Sequence, residues 1–196
     1  MSEKYFTQLK DRSILEVSGE DCRTFLQGLV SNDVQKVSNK QAVYSAFLTA
    51  QGKYLHDFFI ASFESNLYLD CEASRIQDLC KRLNIYKLRS KVGIQINENF
   101  EILALFGTDS LKTLGLRQNV GAANSFEAGV IYTDPRLTAA GARCIIPKDS
   151  LQKLITLGFV EASFEIYQKH RISLGLPDSS RDMEVEKSIL LDHTTQ

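Results

Sequence analysis

Apolar and polar residues along this chain fall into short runs of two kinds, and the kinds come in a definite order. Ile14, Leu15 and Val17 make a brief half-alternating stretch, the pattern of a strand. After Ser18 and Gly19, Phe25, Leu26, Leu29 and Val30 recur at helical spacing, predicting a helix that ends near residues 31–33. Glu20 and Asp21 are expected in its first turn, where the helix dipole favours negative charge. Residues 43–48 and 54–62 predict two strands joined by a hairpin turn at Gly52. A third strand over 67–71 completes an antiparallel meander. Ser74, with Gln77 three residues on, predicts a capping box, and Ile76, Leu79, Cys80 and Leu83 supply that helix with a buried face. Strands over 91–96 and 101–106 follow.

A weaker second round comes next. It has a short helix at 109–115, strands near 126–133 and 142–146, and a helix from about 149 to 157. Helical spacing returns over 161–174 through Phe164, Tyr167 and Ile172, and the tail carries one apolar cluster, Ile189-Leu190-Leu191. This order predicts an α+β fold of duplicated strand–helix–antiparallel-strands units, without the regular alternation of a dinucleotide-binding sheet. Residues 1–97 are expected to form a first subdomain and 98–160 a second, with 161–196 returning as helix and tail toward the first.

Composition narrows the function classes without choosing one. Among 196 residues, 43% hydrophobic and 24% charged are ordinary globular values. The balance of 23 Lys+Arg against 24 Asp+Glu argues against a nucleic-acid or membrane-surface protein. No window has the apolar length of a membrane helix and no signal peptide is visible, so a reducing compartment is expected, the cytoplasm by default. Cys22, Cys71, Cys80 and Cys144 form no CxxC pair and read as buried free thiols. His56, His170 and His193 lack ligand spacing, so no metal site is expected. Gly52-Lys53 is followed by Tyr54, not Ser or Thr, and reads as a hairpin turn and not a phosphate loop.

Four places carry candidate chemistry. His56-Asp57 puts a carboxylate inside an aromatic-rich strand, where it needs a partner or a shifted pKa. Alternation places Asp57 on one face with Leu55 and Phe59, and His56 on the other with Tyr54 and Phe58. Residues 81–91 hold five basic side chains and no acidic one, which suits either a solvated helix end or an anion-facing patch. Asp134-Pro135-Arg136 is a turn whose charges serve an ion pair or a ligand. Tyr167, Arg171 and Pro177 share one helix and its following loop and are equally open.

Several segments, in order, resemble the YgfZ-type folate-binding proteins related to the glycine-cleavage T-protein. Phe25 to Val34, FLQGLVSNDV, is similar to the family's first-helix motif, and Ala46 to Lys53, AFLTAQGK, to its hairpin. Tyr86 to Val92, YKLRSKV, Asp134-Pro135-Arg136, and Arg171 to Pro177, RISLGLP, resemble three further landmarks. T-proteins carry two adjacent aspartates where this chain has His56-Asp57, so the resemblance favours the iron–sulfur cluster maturation branch. It implies the aminomethyltransferase folate-binding fold and tetrahydrofolate as cofactor. Asn32, Asp33 and Asp57 would then meet the pterin, Arg89 or Lys91 the glutamate tail, and Asp57 would be the best candidate for any catalysis. The implied activity is assistance in 4Fe–4S cluster assembly or repair, with iron–sulfur client or assembly proteins as partners; the alternative is aminomethyl transfer to tetrahydrofolate. The implied location is bacterial cytoplasm, or mitochondrial matrix in a eukaryote. In that branch a Lys-Gly-Cys-Tyr-x-Gly-Gln-Glu motif and a small β-barrel follow a segment like residues 186–192, so this chain is expected to be the larger part of a longer protein.

Overall fold

Alternation along the strands sorts apolar side chains onto the faces of two sheets, and the architecture follows from that sorting. The computed structural model describes residues 3–148 and 150–188. The strands are β1 (Lys4–Gln8), β2 (Arg12–Ser18), β3 (Val43–Leu48), β4 (Tyr54–Phe63), β5 (Asn66–Glu72), β6 (Gly93–Asn97), β7 (Phe100–Gly107), β8 (Ala123–Phe126), β9 (Gly129–Thr133), β10 (Ala142–Pro147) and β11 (Val160–Glu161). The helices are α1 (Cys22–Gln27), α2 (Ile76–Lys87), α3 (Ser110–Thr113), α4 (Gln152–Thr156), α5 (Phe164–Ser173) and α6 (Ser179–Asp182). One sheet runs β3-β4-β5-β2-β6 and the other β11-β1-β7-β10-β9-β8. Among the described residues only the β1–β11 strand pairing is parallel.

The layers are helix, sheet, sheet, helix. Leu15, Val17, Phe58, Ile60 and Leu69 pack on Phe25 and Leu26 of α1 and on Leu79 and Leu83 of α2. The opposite face of that sheet, through Ile14, Phe59 and Tyr68, meets Ala104, Phe106, Tyr132 and Ile145 of the second sheet. Leu103, Leu105 and Ile146 turn the other way, onto Leu111 of α3 and Leu154 of α4. Two inner faces of alternating strands thus form a sandwich core, with charged residues admitted at one end.

Several local expectations change. The strand β1 is absent from the pattern reading, yet it lies between β7 and β11 and so carries the N-terminus into the sheet of the second half. Helix α1 stops at Gln27, and Val30 instead bridges Phe47 of β3. Glu20 and Asp21 precede that helix: Glu20 pairs with Lys91 at 2.8 Å, and Asp21 accepts the Lys91 amide at 2.8 Å. No capping box forms at Ser74, whose hydroxyl bonds Glu72; a 3-10 turn over Ala73–Arg75 leads into α2. The predicted strand at 126–133 is a hairpin, β8–β9, turned at Glu127. In α5, Phe164 and Tyr167 pack on the inter-sheet core while Ile172 is exposed. Cys80 is only half-buried, the other three free thiols being buried. The Ile189-Leu190-Leu191 cluster lies outside the described residues, among which no helix is long and apolar enough to cross a membrane.

One irregularity matters for the site. Leu48 pairs with Tyr54 and Phe47 with His56, leaving Leu55 as the extra residue of a β-bulge. Across a bulge the alternation reverses. Leu55 therefore joins Phe58 on the helical side, and Tyr54 turns onto the face of Asp57. This exchanges Tyr54 and Leu55 relative to simple alternation.

The helix layer gives a direct test. Leu79 is fully buried between α2 and the first sheet. Leu79→Ala should cost about 2–5 kcal/mol in urea unfolding, and a loss well below about 1 kcal/mol would contradict this packing.

Candidate ligand site between the sheets

Three strands each send a charged side chain into the sheet interface. Asp70 of β5 has no exposure, and its Oδ1 accepts from Arg12 Nε of β2 at 2.7 Å. Its Oδ2 accepts from Arg143 Nε of β10 at 2.7 Å, with Arg143 Nη2 also 2.5 Å from that oxygen. Arg12 Nη2 further donates to the Asp70 carbonyl at 2.6 Å. Arg12 and Asp70 belong to one sheet and Arg143 to the other, so one carboxylate clamps the two layers. Burial by itself lowers the pKa of both guanidiniums, but Asp70 more than reverses this and keeps both charged.

Phe59 provides the floor. The Arg143 and Arg136 guanidiniums lie 4.1 and 4.8 Å from its ring centroid. Arg136 is paired with Asp134 at 2.8 Å, the ion pair that the Asp-Pro-Arg turn allowed. Burial pushes the Asp134 pKa up, but Arg136 and then Arg143 outweigh it, leaving the carboxyl below its ordinary value.

Asp57 completes the site. Tyr44 Oη donates to its Oδ2 at 2.7 Å and Tyr54 Oη to its Oδ1 at 3.3 Å. Burial, reinforced by the Asp57 charge, raises both phenols, so they stay protonated donors at neutral pH. The bulge at Leu55 is what aims Tyr54 here. Arg12, Asp57, Phe59, Arg136 and Arg143 line a narrow cavity of ≈ 30 Å³ together with Tyr167, Arg171, Pro177 and Ser179. That is room for about one or two waters. Its cover is the turn after α5, where Arg136 Nη1 donates to the Pro177 carbonyl at 3.1 Å. Arg171 Nη1 holds the same turn through the Leu176 carbonyl and Asp182, both at 2.9 Å. The segment beyond returns to β4, with Tyr54 N donating to the Ser188 carbonyl at 3.0 Å.

His56 faces the other way. Its Nε2 lies 2.8 Å from Asp78 of α2, which also accepts from Arg82 Nε at 2.8 Å. Burial lowers the His56 pKa, opposed by the Asp78 contact. Burial also pushes the Cys71 thiol up to about 12, so it is not a reactive thiolate.

The residues singled out from sequence divide accordingly. Asp57, Arg136, Tyr167, Arg171 and Pro177 converge on the cavity. Asn32 lies beside β3, bonding the Tyr44 carbonyl at 2.8 Å, while Asp33 caps the short turn Val34–Lys36. Arg89 and Lys91 are not among the residues lining the cavity. Gly93, close after Lys91, pairs with Ser18, six residues along β2 from Arg12 and so about 20 Å away. Lys91 is engaged with Glu20 there. Arg12, Tyr44, Phe59, Asp70 and Arg143 were missed. A usable signal existed for two of them: Asp70 sits between Leu69 and Cys71, and Arg143 between Ala142 and Cys144, the same charge-within-a-strand pattern that marked Asp57.

The two packed sheets have a counterpart among solved structures. Aminomethyltransferase T of the glycine cleavage system from Bartonella henselae matches with a TM-score of 0.72 at 17% identity, over 90% of this chain and 52% of that one. The family model of the GCVT N-terminal domain matches residues 9–175, and the chain belongs to that family. Similar curated proteins are named iron–sulfur cluster assembly factor IBA57, mitochondrial. The human protein is 27% identical over 90% of this chain and 52% of its own length. The Neurospora crassa homolog is 27% identical over 90% of this chain and 42% of its own length. This chain therefore spans about half the length of the curated relatives it matches.

Two expectations test the site. Asp70→Asn leaves two buried guanidiniums without their counter-charge and should cost about 3–5 kcal/mol in denaturant unfolding; a loss under about 1 kcal/mol would contradict the clamp. Asp134 has a depressed folded-state pKa, so its contribution is complete above the ordinary value of 3.8 and is lost as pH falls through the lower folded value. Stability measured from pH 5 down to pH 2 should accordingly fall less steeply in Asp134→Asn than in the native protein. Parallel acid limbs would contradict this assignment.

Proposed function

We propose that this chain is the folate-binding portion of an iron–sulfur cluster assembly factor, with the inter-sheet cavity as its pterin site. The observation that carries the ligand reading is the buried Asp57 carboxylate, held by two tyrosine hydroxyls beside an aromatic floor. A pterin presents adjacent N–H donors on a flat ring, and a fixed carboxylate beside an aromatic ring is the matching donor–acceptor set. The donor set fits tetrahydrofolate, whereas the cavity volume does not until the turn at Pro177–Ser179 swings away. That turn is held by side-chain contacts to two carbonyls and Asp182, a modest set to release. When bound, tetrahydrofolate supplies a carrier for one-carbon units. The glutamate tail is better served by Arg171 and Arg181 near this turn than by Arg89 or Lys91, neither of which lines the cavity. The assembly role is supported by the names of the relatives, and their location supports a mitochondrial setting for a eukaryotic source.

The replacement of an aspartate by His56 discriminates less than the sequence suggested. Position 56 faces α2, so a carboxylate there would also point away from the cavity. Asp57 alone faces the ligand space, and aminomethyl transfer stays a defined alternative outcome.

Calorimetry with tetrahydrofolate should show binding to the native chain, weakened about 10–100-fold in Asp57→Asn through loss of a charge-assisted hydrogen bond. No heat with the native chain would remove folate from the site. In cells lacking an IBA57-type factor, a longer form carrying this chain should restore 4Fe–4S enzyme activity, and Asp57→Asn should reduce the rescue. Formation of methylene-tetrahydrofolate and ammonia from an aminomethyl donor, with no rescue, would favour the transferase instead.

A further inference from the structure

The far end of α2 presents a surface that the inter-sheet site does not use. Ile85, Tyr86 and Leu88 are 64%, 52% and 89% exposed, a large apolar group for one short segment. Leu88 has φ 41° and ψ −111°, a region that side-chain-bearing residues rarely enter. The turn is nonetheless tied on both sides. Ser90 N donates to the Lys87 carbonyl at 2.8 Å, Lys91 N to Asp21 Oδ2 at 2.8 Å, and Val92 is buried. A strained turn fastened at both ends, with its bulkiest apolar side chain held in solvent, has the form of an interaction element.

The surrounding charge fixes the sign of the partner. Residues 81–91 contain five cations and no acid. Arg82 is engaged by Asp78 and Lys91 by Glu20, each at 2.8 Å. Lys81, Lys87 and Arg89 have no carboxylate partner among the described residues. Lys81 lies one helical turn before Ile85, so free charge and apolar surface share a face.

We propose that this corner docks an acidic, amphipathic segment of a partner protein. Ile85, Tyr86 and Leu88 would seat its apolar strip, and Lys81, Lys87 and Arg89 would meet its carboxylates. Two aliphatic anchors and one tyrosine do not form the row of aromatic rings that single-stranded nucleic acid stacks on. Three free cations with three apolar side chains also fall short of a stable lipid anchor, which takes a longer amphipathic face or a second signal. The surface is independent of the folate reading.

The test is NMR titration of the ¹⁵N-labelled chain with a helical 18-residue peptide of Glu with Leu along one face. A Lys-for-Glu version of the peptide serves as control. Shift changes should centre on residues 81–91, weaken with added salt, and be absent with the Lys peptide. The double variant Lys87→Glu/Arg89→Glu should weaken binding at least about tenfold while leaving the remaining spectrum in place, Lys87 being half-buried at the last position of α2 and Arg89 exposed in the turn after it. Leu88→Ser should also weaken it, which separates apolar docking from bulk charge. Shifts elsewhere, equal binding of the two peptides, or no shifts would overturn the proposal. So would tighter engagement of the same residues by oligouridylate, by phosphatidylserine vesicles, or by a second copy of this chain in a concentration series.

Discussion

One carboxylate sets the geometry between the two sheets. Asp70 is wholly buried and divides its oxygens between Arg12 of its own sheet and Arg143 of the other. Such an arrangement adds little net stability over apolar packing, because desolvating three charges offsets most of their attraction. What it provides is register. Arg143 reaches Asp70 only when β10 lies across β5, and a one-residue slip of either strand within its own sheet would turn that strand's charged side chain away from the interface. The sheets are therefore fixed where the cavity forms, and Phe59, beneath Arg143 and Arg136, is fixed with them.

From this clamp the remaining charges can be followed outward. Arg136 is neutralised by Asp134 and turns one nitrogen to the cover at Pro177. Asp57 has no arginine among its hydrogen-bond donors; tyrosine hydroxyls hold it, one of them aimed by the bulge at Leu55. Around the cavity, Asp70 and Asp134 are thus paired with arginines, whereas Asp57 is left to tyrosine hydroxyls, neutral donors that a ligand could displace. A charged interior becomes a site at the point where its own pairing is weakest.

The fold was largely legible because most strands and helices bury one face and so keep a clean period. The meander over 43–72 and the apolar face of α2 follow from that rule directly. The failures have physical causes. The strand β1 is short and takes its stability from β7 and β11, which are distant in sequence. The bulge at Leu55 depends on how β3 closes its hairpin and leaves no periodic trace. Asp57 was legible as a carboxylate out of place, whereas its partners Tyr44 and Tyr54 look like ordinary strand aromatics. The basic run holding Arg89 and Lys91 reads as an anion-facing patch in sequence, and neither residue is among those lining the cavity.

Membership of the GCVT N-terminal domain family and likeness to IBA57-named assembly factors agree on the framework, and the proposed pterin site is the part that a ligand experiment decides. The most direct test is hydrogen–deuterium exchange of the chain with and without tetrahydrofolate. With pterin in the cavity, altered exchange is expected at two places only: the start of β4, around Tyr54 to Phe59, and the turn from Leu176 to Asp182. Protection centred on residues 85–91, or no change at either place under saturating ligand, would contradict it.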